Sequence, residues 1–449
     1  MTMIKKIKWR NHQILGNLEL DFTKTDGGIY NTVVLAGENG TGKTTILDSL
    51  STFLNLGSFE DFEYISYEVN GVTYTIRPIT NSKLGFHVRK NEDDGTEKNV
   101  ISGKHSSKES IDSDVEDIRH YGCSYSKARS GFNTEKVKTS TTMQLDSDKY
   151  EDDSKDDFTS IKQLFVDIDD QDKSLWMEIS ESQPNPSFDS FKPTSKKYRF
   201  EKAFNDFFDG LKFKKVDPTY PDEKKVVFEK NGKQIYIDNL STGEKQIVFR
   251  GAHLLKNGNK LNHGVVLVDE PELSMHPKWQ EKILNYYRGL FVSGGSQTAQ
   301  MFFATHSEYV LRSALTPPNN NDVLIIVLNS NYGTIETQRI VAPSVLPSIT
   351  SAETNYLAFD VVSIDYHIQL YGYLQNKINI SSIKLTDDYI VAQPQYISAI
   401  HQKPYTYGTT TYQSLSTYIR NTIDHPDPTH SFTQEELRTS IELLIELCR

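Results

Sequence analysis

The segment Gly37-Glu38-Asn39-Gly40-Thr41-Gly42-Lys43-Thr44 fits the spacing G-x-x-x-x-G-K-[ST], a pattern in which each part answers to a phosphate. Glycines let successive main-chain N–H groups close around phosphate oxygens, and a helix starting at the end of the loop adds partial positive charge. Lys43 then reaches the β and γ phosphates of a nucleotide, while the Thr44 hydroxyl joins the shell of a magnesium ion. Asn39, Gly40, Thr41, Gly42, Lys43, Thr44 and Thr45 are thus the candidate ATP contacts. The competing reading is an accidental glycine turn, which a strand before the loop and a helix after it weigh against.

Four further segments extend this chemistry. Leu240-Ser241-Thr242-Gly243-Glu244-Lys245-Gln246 opens a helix with a serine and a glycine where free N–H groups can hold a γ-phosphate. Val265-Val266-Leu267-Val268-Asp269-Glu270 reads as a buried strand ending in paired acids. Asp269 suits magnesium, often through water, and Glu270 suits polarising an attacking water. Glu272-Leu273-Ser274-Met275-His276-Pro277 follows directly, and Phe302-Phe303-Ala304-Thr305-His306-Ser307 ends a strand on a histidine. Alone, a histidine after a strand is usually a satisfied core or surface group, and an Asp-Glu pair a solvated loop. It is their order that carries the signal.

Together these segments resemble the ABC ATPases, in their SMC/RecF-like branch rather than the transporters: a P-loop, an L-S-x-G-x-x-Q signature, a Walker B strand, a D-loop and a switch histidine. The likeness includes the opening Ile4-Lys5-Lys6-Ile7-Lys8-Trp9-Arg10-Asn11 and Leu18-Glu19-Leu20-Asp21-Phe22, and covers Met1 to Ile340. It implies ATP and Mg2+ as cofactors, Thr44 and Asp269 at the metal, and Glu270 and His306 as the catalytic pair. One chain holds one P-loop and one signature. In this family Ser241 and Gly243 serve the P-loop of another head, so the resemblance implies a homodimer or higher homo-oligomer. Two departures stand out. No Q-loop glutamine follows the expected strand Ile118 to Tyr125, which runs into Ser126-Lys127-Ala128-Arg129-Ser130-Gly131-Phe132; Gln144 and Gln163 are the substitutes considered. The stretch from P-loop to signature is also about twice that of a transporter head, without the heptads of a coiled-coil arm.

The C-terminal hundred residues carry Arg420-Asn421-Thr422-Ile423-Asp424-His425, which resembles the R-N-x-x-x-H motif of HEPN ribonucleases. That likeness implies Arg420 stabilising a phosphate and His425 moving protons. A plainer reading pairs Arg420 with Asp424 on one helix face, with His425-Pro426 stopping the helix. From Ser344 to Arg449 six Lys and Arg face eleven Asp and Glu, a poor balance for a free-standing RNA binder.

These residues need an α/β scaffold to position them: an ABC-type P-loop head with a mixed sheet, an antiparallel subdomain and a helical lobe, followed by a mostly helical C-terminal domain. Ile4 to Phe22 reads as two short strands, Thr32 to Ala36 as a strand buried on both faces, and Lys43 to Asn55 as a helix. Glu63 to Arg89 alternates in three segments, one broken at Asn70-Gly71, as antiparallel hairpins do. Polar tracts at Lys90 to Asp117 and Asp146 to Asp157 read as surface loops. Helices are expected at Phe158 to Ile179, at Tyr198 to Phe208 and from Pro277. Val226 to Ile237 is a hairpin, and Val265 to Val268, Met301 to Ala304, Val323 to Leu328 and Gly333 to Ile340 are strands. The head is expected over 1–343, its P-loop lobe being 1–89 with 258–343 and its signature lobe 90–257. The tail, 344–449, divides off near Ser344, with helices over Glu353 to Leu374, Tyr412 to Ile423 and from the capping box at Thr433.

At 449 residues, 37% hydrophobic and with two cysteines, the chain has material for a large core but none for a disulfide framework. Nothing approaches the ~20 apolar residues of a membrane span, and Met1 to Arg10 lacks a signal-peptide core, so the cytoplasm is the expected compartment. A net charge of −11 argues against a nucleic-acid-coating protein. The organisation also resembles the PtuA-type ATPases of Septu and retron-linked anti-phage systems, which implies a regulatory subunit acting beside a nuclease such as an HNH protein. Two alternatives stay open: an ATP-gated HEPN ribonuclease like the anticodon nucleases, acting on tRNA, and a repair-type ATPase binding DNA. Retron DNA is a further candidate partner.

Overall fold

Val33, Val34, Leu35 and Ala36 have no exposed surface, and a run this apolar is stable only between two covered faces. It forms the strand Thr32–Gly37 at the centre of a sheet ordered Thr334–Ile340, Val323–Asn331, Thr32–Gly37, Gln300–Ala304, Val265–Asp269 and Cys123–Ser126. From Val323–Asn331 to Cys123–Ser126 the neighbours run parallel. Asp269 pairs with Ala304, Ala304 with Leu35, and Val268 with Ser126. The ends leading to the P-loop, to Glu270, to His306 and to Lys127 therefore open along one edge, where α/β sheets gather their ligands. The computed structural model describes residues 2–79, 86–101, 108–150, 158–331, 333–340, 345–426 and 428–449.

The helix Lys43–Leu54 follows the P-loop and buries Ile46, Leu47, Leu50 and Phe53 completely. They pack into one core with Ile4, Ile7, Trp9, Phe62 and Ile65 of an antiparallel sheet ordered Glu19–Asp21, Thr2–Trp9, Phe62–Val69, Val72–Pro78, Phe86–Asn91 and Glu97–Ile101. The last strand corrects the reading of Lys90 to Asp117 as loop only: Phe86 to Lys90 pairs with Glu97 to Ile101, so backbone pairing makes a strand of a segment whose polar side chains suit an edge. The expected strand Ile118 to Tyr125 is likewise shorter. Asp117 caps a 3₁₀ turn over Ile118–Tyr121, and Gly122 at φ 77° breaks the chain before Cys123.

The segment between P-loop and signature is globular. The 25-residue helix Phe158–Ser182 and the helix Lys196–Phe207 pack Phe165, Phe200 and Phe204 against Phe213 and Phe228 of a three-stranded sheet ordered Lys233–Tyr236, Lys225–Lys230 and Leu211–Asp217. Residues 151–157 of the acidic tract lie outside the described residues.

Met1–Ser313 with Asp322–Gln338 forms one compact unit, and Ala314–Asn321 with Arg339–Arg449 a second; the expected boundary at Ser344 lies outside the described residues. The second unit's core gathers Tyr366, Leu370 and Leu374 from Ile364–Lys377, Ile419 from Leu415–Asp424, and Ile441 and Leu444 from Gln434–Cys448. Its helices come with one hairpin, Gln402–Tyr407 against Thr410–Ser414. Tyr412 thus sits in a strand, among Thr410, Thr411 and Tyr412, side chains that favour the pleated surface. The helix begins only where Ser414 accepts from the Thr417 N–H. Glu353 to Leu374 is not continuous either: Asp360, at φ 53°, separates Ser351–Phe359 from Ile364–Lys377.

Candidate nucleotide site

The loop is shaped by glycines at positive φ. Gly37 holds φ 136°, and a Cβ on it would lie 2.2 Å from the Leu328 carbonyl oxygen. Gly42, at φ 88°, ends the loop as the residue before the helix, and a Cβ there would meet Leu15 at 2.5 Å. Between them Asn39 and Gly40 are exposed at the tip, and Thr41 Oγ1 donates to the Glu38 carbonyl at 2.9 Å. Lys43 is 5% exposed, its Nζ donating to the carbonyls of Gly37 at 2.8 Å and Glu38 at 2.7 Å. Burial pushes its pKa down to about 8 against the pull of Asp269, Glu270, Glu272 and Glu38. Thr45 is half-buried in the first turn of the helix.

Thr44 and Asp269, 225 residues apart, meet here: Thr44 Oγ1 lies 3.1 and 3.2 Å from the two Asp269 carboxylate oxygens. Burial pushes Asp269 up to about 6, opposed by the Thr44 hydrogen bond and assisted by the neighbouring Glu270 charge. Glu270 follows at φ 43°, a left-handed backbone that costs a non-glycine residue about 1–3 kcal/mol. The turn leaves its carboxylate 3.7 Å from His306 Nε2. The His306 main-chain N–H donates to Glu272 Oε1 at 2.8 Å, which ties the switch segment to the acidic turn. Burial and the Lys43 charge lower the His306 pKa, while Glu270 and a hydrogen bond to Gly37 act in the opposite sense.

One residue essential to this geometry was not singled out from the sequence. Arg250, 2% exposed, donates to the Ser126 hydroxyl and carbonyl at 2.8 and 2.9 Å, to the Glu270 carbonyl at 2.9 Å, and to the Asp269 carbonyl. It belongs to the signature helix, where Thr242–Lys245 passes through one π turn, Gln246–Arg250, into Gly251–Leu255. Such single-turn bulges often mark functional positions. Arg250 directly follows the apolar run Ile247-Val248-Phe249, a neighbourhood that does not by itself mark an arginine as buried. Gln246, fully buried, accepts from Arg250 and donates to the Arg129 carbonyl at 2.6 Å.

Ser241 is exposed and heads that helix in a full capping box with Glu244, which Lys230 also engages at 2.7 Å. Gly243 is buried beneath the D-loop, where a Cβ would come within 2.9 Å of the Ser274 carbonyl oxygen. Gly243 thus stands with the D-loop, while the P-loop residues gather with Asp269, Glu270 and His306. Gln163 donates to the Thr139 carbonyl and to Asp167, bracing the helical lobe.

In the second unit Arg420 pairs with Asp424 at 2.5 Å and donates to Asn421 at 2.9 Å, while exposed His425 stacks on Tyr407 with ring centroids 5.2 Å apart. The ion pair of the plainer sequence reading is therefore formed. Among the described residues no helix is long and apolar enough to cross a membrane.

Residues 33–312 match the family AAA_21, described as "AAA domain, putative AbiEii toxin, Type IV TA system". The chain is similar to the "Septu protein PtuA" of Bacillus thuringiensis, 22% identical over 70% of this chain and 74% of that one. It is 36% identical over 91 residues to the "Retron Vc95 probable ATPase" of Vibrio cholerae serotype O1 biovar El Tor, a match spanning only 18% of this chain and 17% of that one. Among solved structures, the SMC head domain from Thermotoga maritima aligns at 13% identity and a TM-score of 0.38, over 75% of this chain and 98% of that one.

Proposed function

This chain belongs to the AAA_21 family, and from that premise we propose that it is an ATP-binding and ATP-hydrolysing regulatory subunit of an anti-phage defence system, its nucleotide state controlling a nuclease. The observation that carries the ATPase reading is the contact of Thr44 with Asp269 beside the Lys43 ammonium. Glycine-shaped main chain, one buried cation and two hard oxygen donors fit a nucleotide phosphate with its magnesium.

In this reading Lys43 turns from the loop carbonyls to the β and γ phosphates. Thr44 and, through water, Asp269 would hold the magnesium, which would offset charge on the phosphate oxygens. Glu270, held ready by its turned backbone, would accept a proton from the water that attacks the γ-phosphorus as the bond to the β–γ bridging oxygen breaks and ADP leaves. His306, 3.7 Å from Glu270, would contact the γ-phosphate. Asn39, Gly40, Thr41, Gly42 and Thr45 line the phosphates. Ser241 and Gly243 complete the site of a second copy, because an exposed helix start is suited to grip the γ-phosphate from outside.

The link to defence rests on the similarity to the Septu and retron proteins, and an HNH-type nuclease is the partner it favours. The test is a Lys43→Ala variant of the full chain. Loss of nucleotide binding, and of phage protection when co-expressed with an HNH-type nuclease partner, is expected. Full protection by a variant unable to bind ATP would remove the regulatory reading, and retained ATP affinity would remove the site assignment.

A further inference from the structure

The strand Cys123–Ser126 lies at the edge of the parallel sheet and ends on an anchored residue. Ser126 is fixed by Arg250 through both its hydroxyl and its carbonyl, so the next residue, Lys127, leaves from a firm anchor. Its Nζ lies 3.2 Å from Asp48 Oδ1 and 5.1 Å from the centre of the Tyr125 ring. An ammonium donates three hydrogen bonds and accepts none. Lys127 therefore cannot give magnesium an oxygen.

Asp48 can. It lies one turn beyond Thr44 in the P-loop helix, so the two side chains share a helix face, and Thr44 is the residue that meets Asp269. The Asp48 charge also reaches Asp269 and adds to its upward push. Magnesium on a nucleotide takes few protein ligands and keeps several waters, which leaves a place for a carboxylate acting through water.

We propose that Asp48 supplies an outer-shell oxygen to the magnesium, acting through water, and that Lys127 is the positioning residue that holds the Asp48 carboxylate on that side of the helix. This rests on the ATP reading above. A sensor built this way sits on the P-loop helix itself, with the edge strand contributing only the counter-charge.

The test measures the affinity of the full chain for a fluorescent ATP analogue, in EDTA and across a magnesium titration. Asp48→Asn should raise the magnesium needed for half-maximal tightening about tenfold, the low end of the effect of lost outer-shell partners. Its affinity in EDTA should be equal or tighter, because a negative charge near the phosphates is gone. Lys127→Met should shift the magnesium midpoint in the same sense, and Lys127→Arg should restore it. An unchanged midpoint in Asp48→Asn, or equal weakening with and without magnesium, overturns the proposal. A wild-type chain that binds no nucleotide under either condition overturns the ATP reading itself.

Discussion

Arg250 donates a 2.9 Å hydrogen bond to the main-chain carbonyl of Glu270, tying the signature helix to the turn that carries the candidate general base. It also donates to the carbonyls of Asp269 and Ser126. Arg250→Met would keep much of the stem's volume but leave these carbonyls buried without a donor, at about 1–3 kcal/mol for each unsatisfied group. The expected loss is about 3 kcal/mol or more of unfolding free energy by urea denaturation. Arg250→Lys should recover only part of it, since one ammonium cannot reproduce the planar fork. A loss below about 1 kcal/mol would show that the carbonyls find other partners.

How much of this was legible beforehand divides along a physical line. The P-loop, Asp269, Glu270 and His306 follow from local pattern, because each sits where a buried apolar strand stops, and the stops share one edge of a parallel sheet. Arg250 was not legible: its partners lie 124, 20 and 19 residues away, and nothing local marks an arginine in a helix as buried. Gly122 and the capping side chain of Asp117 cut short the expected Ile118 strand, a turn chemistry that hydrophobic pattern alone does not weigh. The Gln402–Ser414 hairpin escaped because its bulged pairing between Gln402 and Tyr405 blurs the two-residue alternation on which strand reading depends.

The shifted groups predict a pH window for binding. Phosphates require Lys43 charged, and its pKa is lowered to about 8; magnesium requires Asp269 ionised, and its pKa is raised to about 6. Affinity for magnesium-ATP should therefore be greatest between about pH 6 and 8, falling below as Asp269 takes up its proton and above as Lys43 loses one. Stability runs in the opposite sense, since both shifts disfavour the charged folded form. The folded acid holds its proton longer than the unfolded chain does, so stability falls as pH rises from the ordinary carboxylate range to about 6. It is regained from about 8 up to the ordinary lysine value, where the unfolded chain binds the extra proton. Calorimetry in buffers of different ionisation enthalpy checks both arms. Affinity that stays flat from pH 5 to 9 would exclude these two groups as the controlling pair.

The Arg420–Asp424 pair yields a prediction that separates two readings of the tail. A half-exposed i,i+4 ion pair is worth only about 0.3–0.5 kcal/mol, so Arg420→Ala should change stability by less than about 1 kcal/mol. If the tail is a ribonuclease, the same substitution should abolish RNA cleavage and toxicity on expression. If Arg420 serves only its ion pair, both should match wild type, whatever the nucleotide present. His425→Ala provides the second arm, since it removes the ring stacked on Tyr407 without touching the ion pair.

If the signature helix serves a second copy, as proposed, assembly should depend on nucleotide. Ser241 is exposed at the start of its helix, so that helix start is open to a phosphate held by another copy. A γ-phosphate gripped from two chains adds its binding free energy to the dimer, which mass action then favours. Hydrolysis removes that grip. Glu270→Gln keeps the size of the side chain while removing the carboxylate that would accept the water's proton, so it should trap the assembled form. Gel filtration or analytical ultracentrifugation should show Glu270→Gln shifting to a dimer or larger in magnesium-ATP but not in ADP. Ser241→Arg, which places a bulky cation at the helix start, should return it to the smaller species with ATP binding intact. An assembly size in Glu270→Gln that ignores ATP would mean that each copy completes its site without the signature of another.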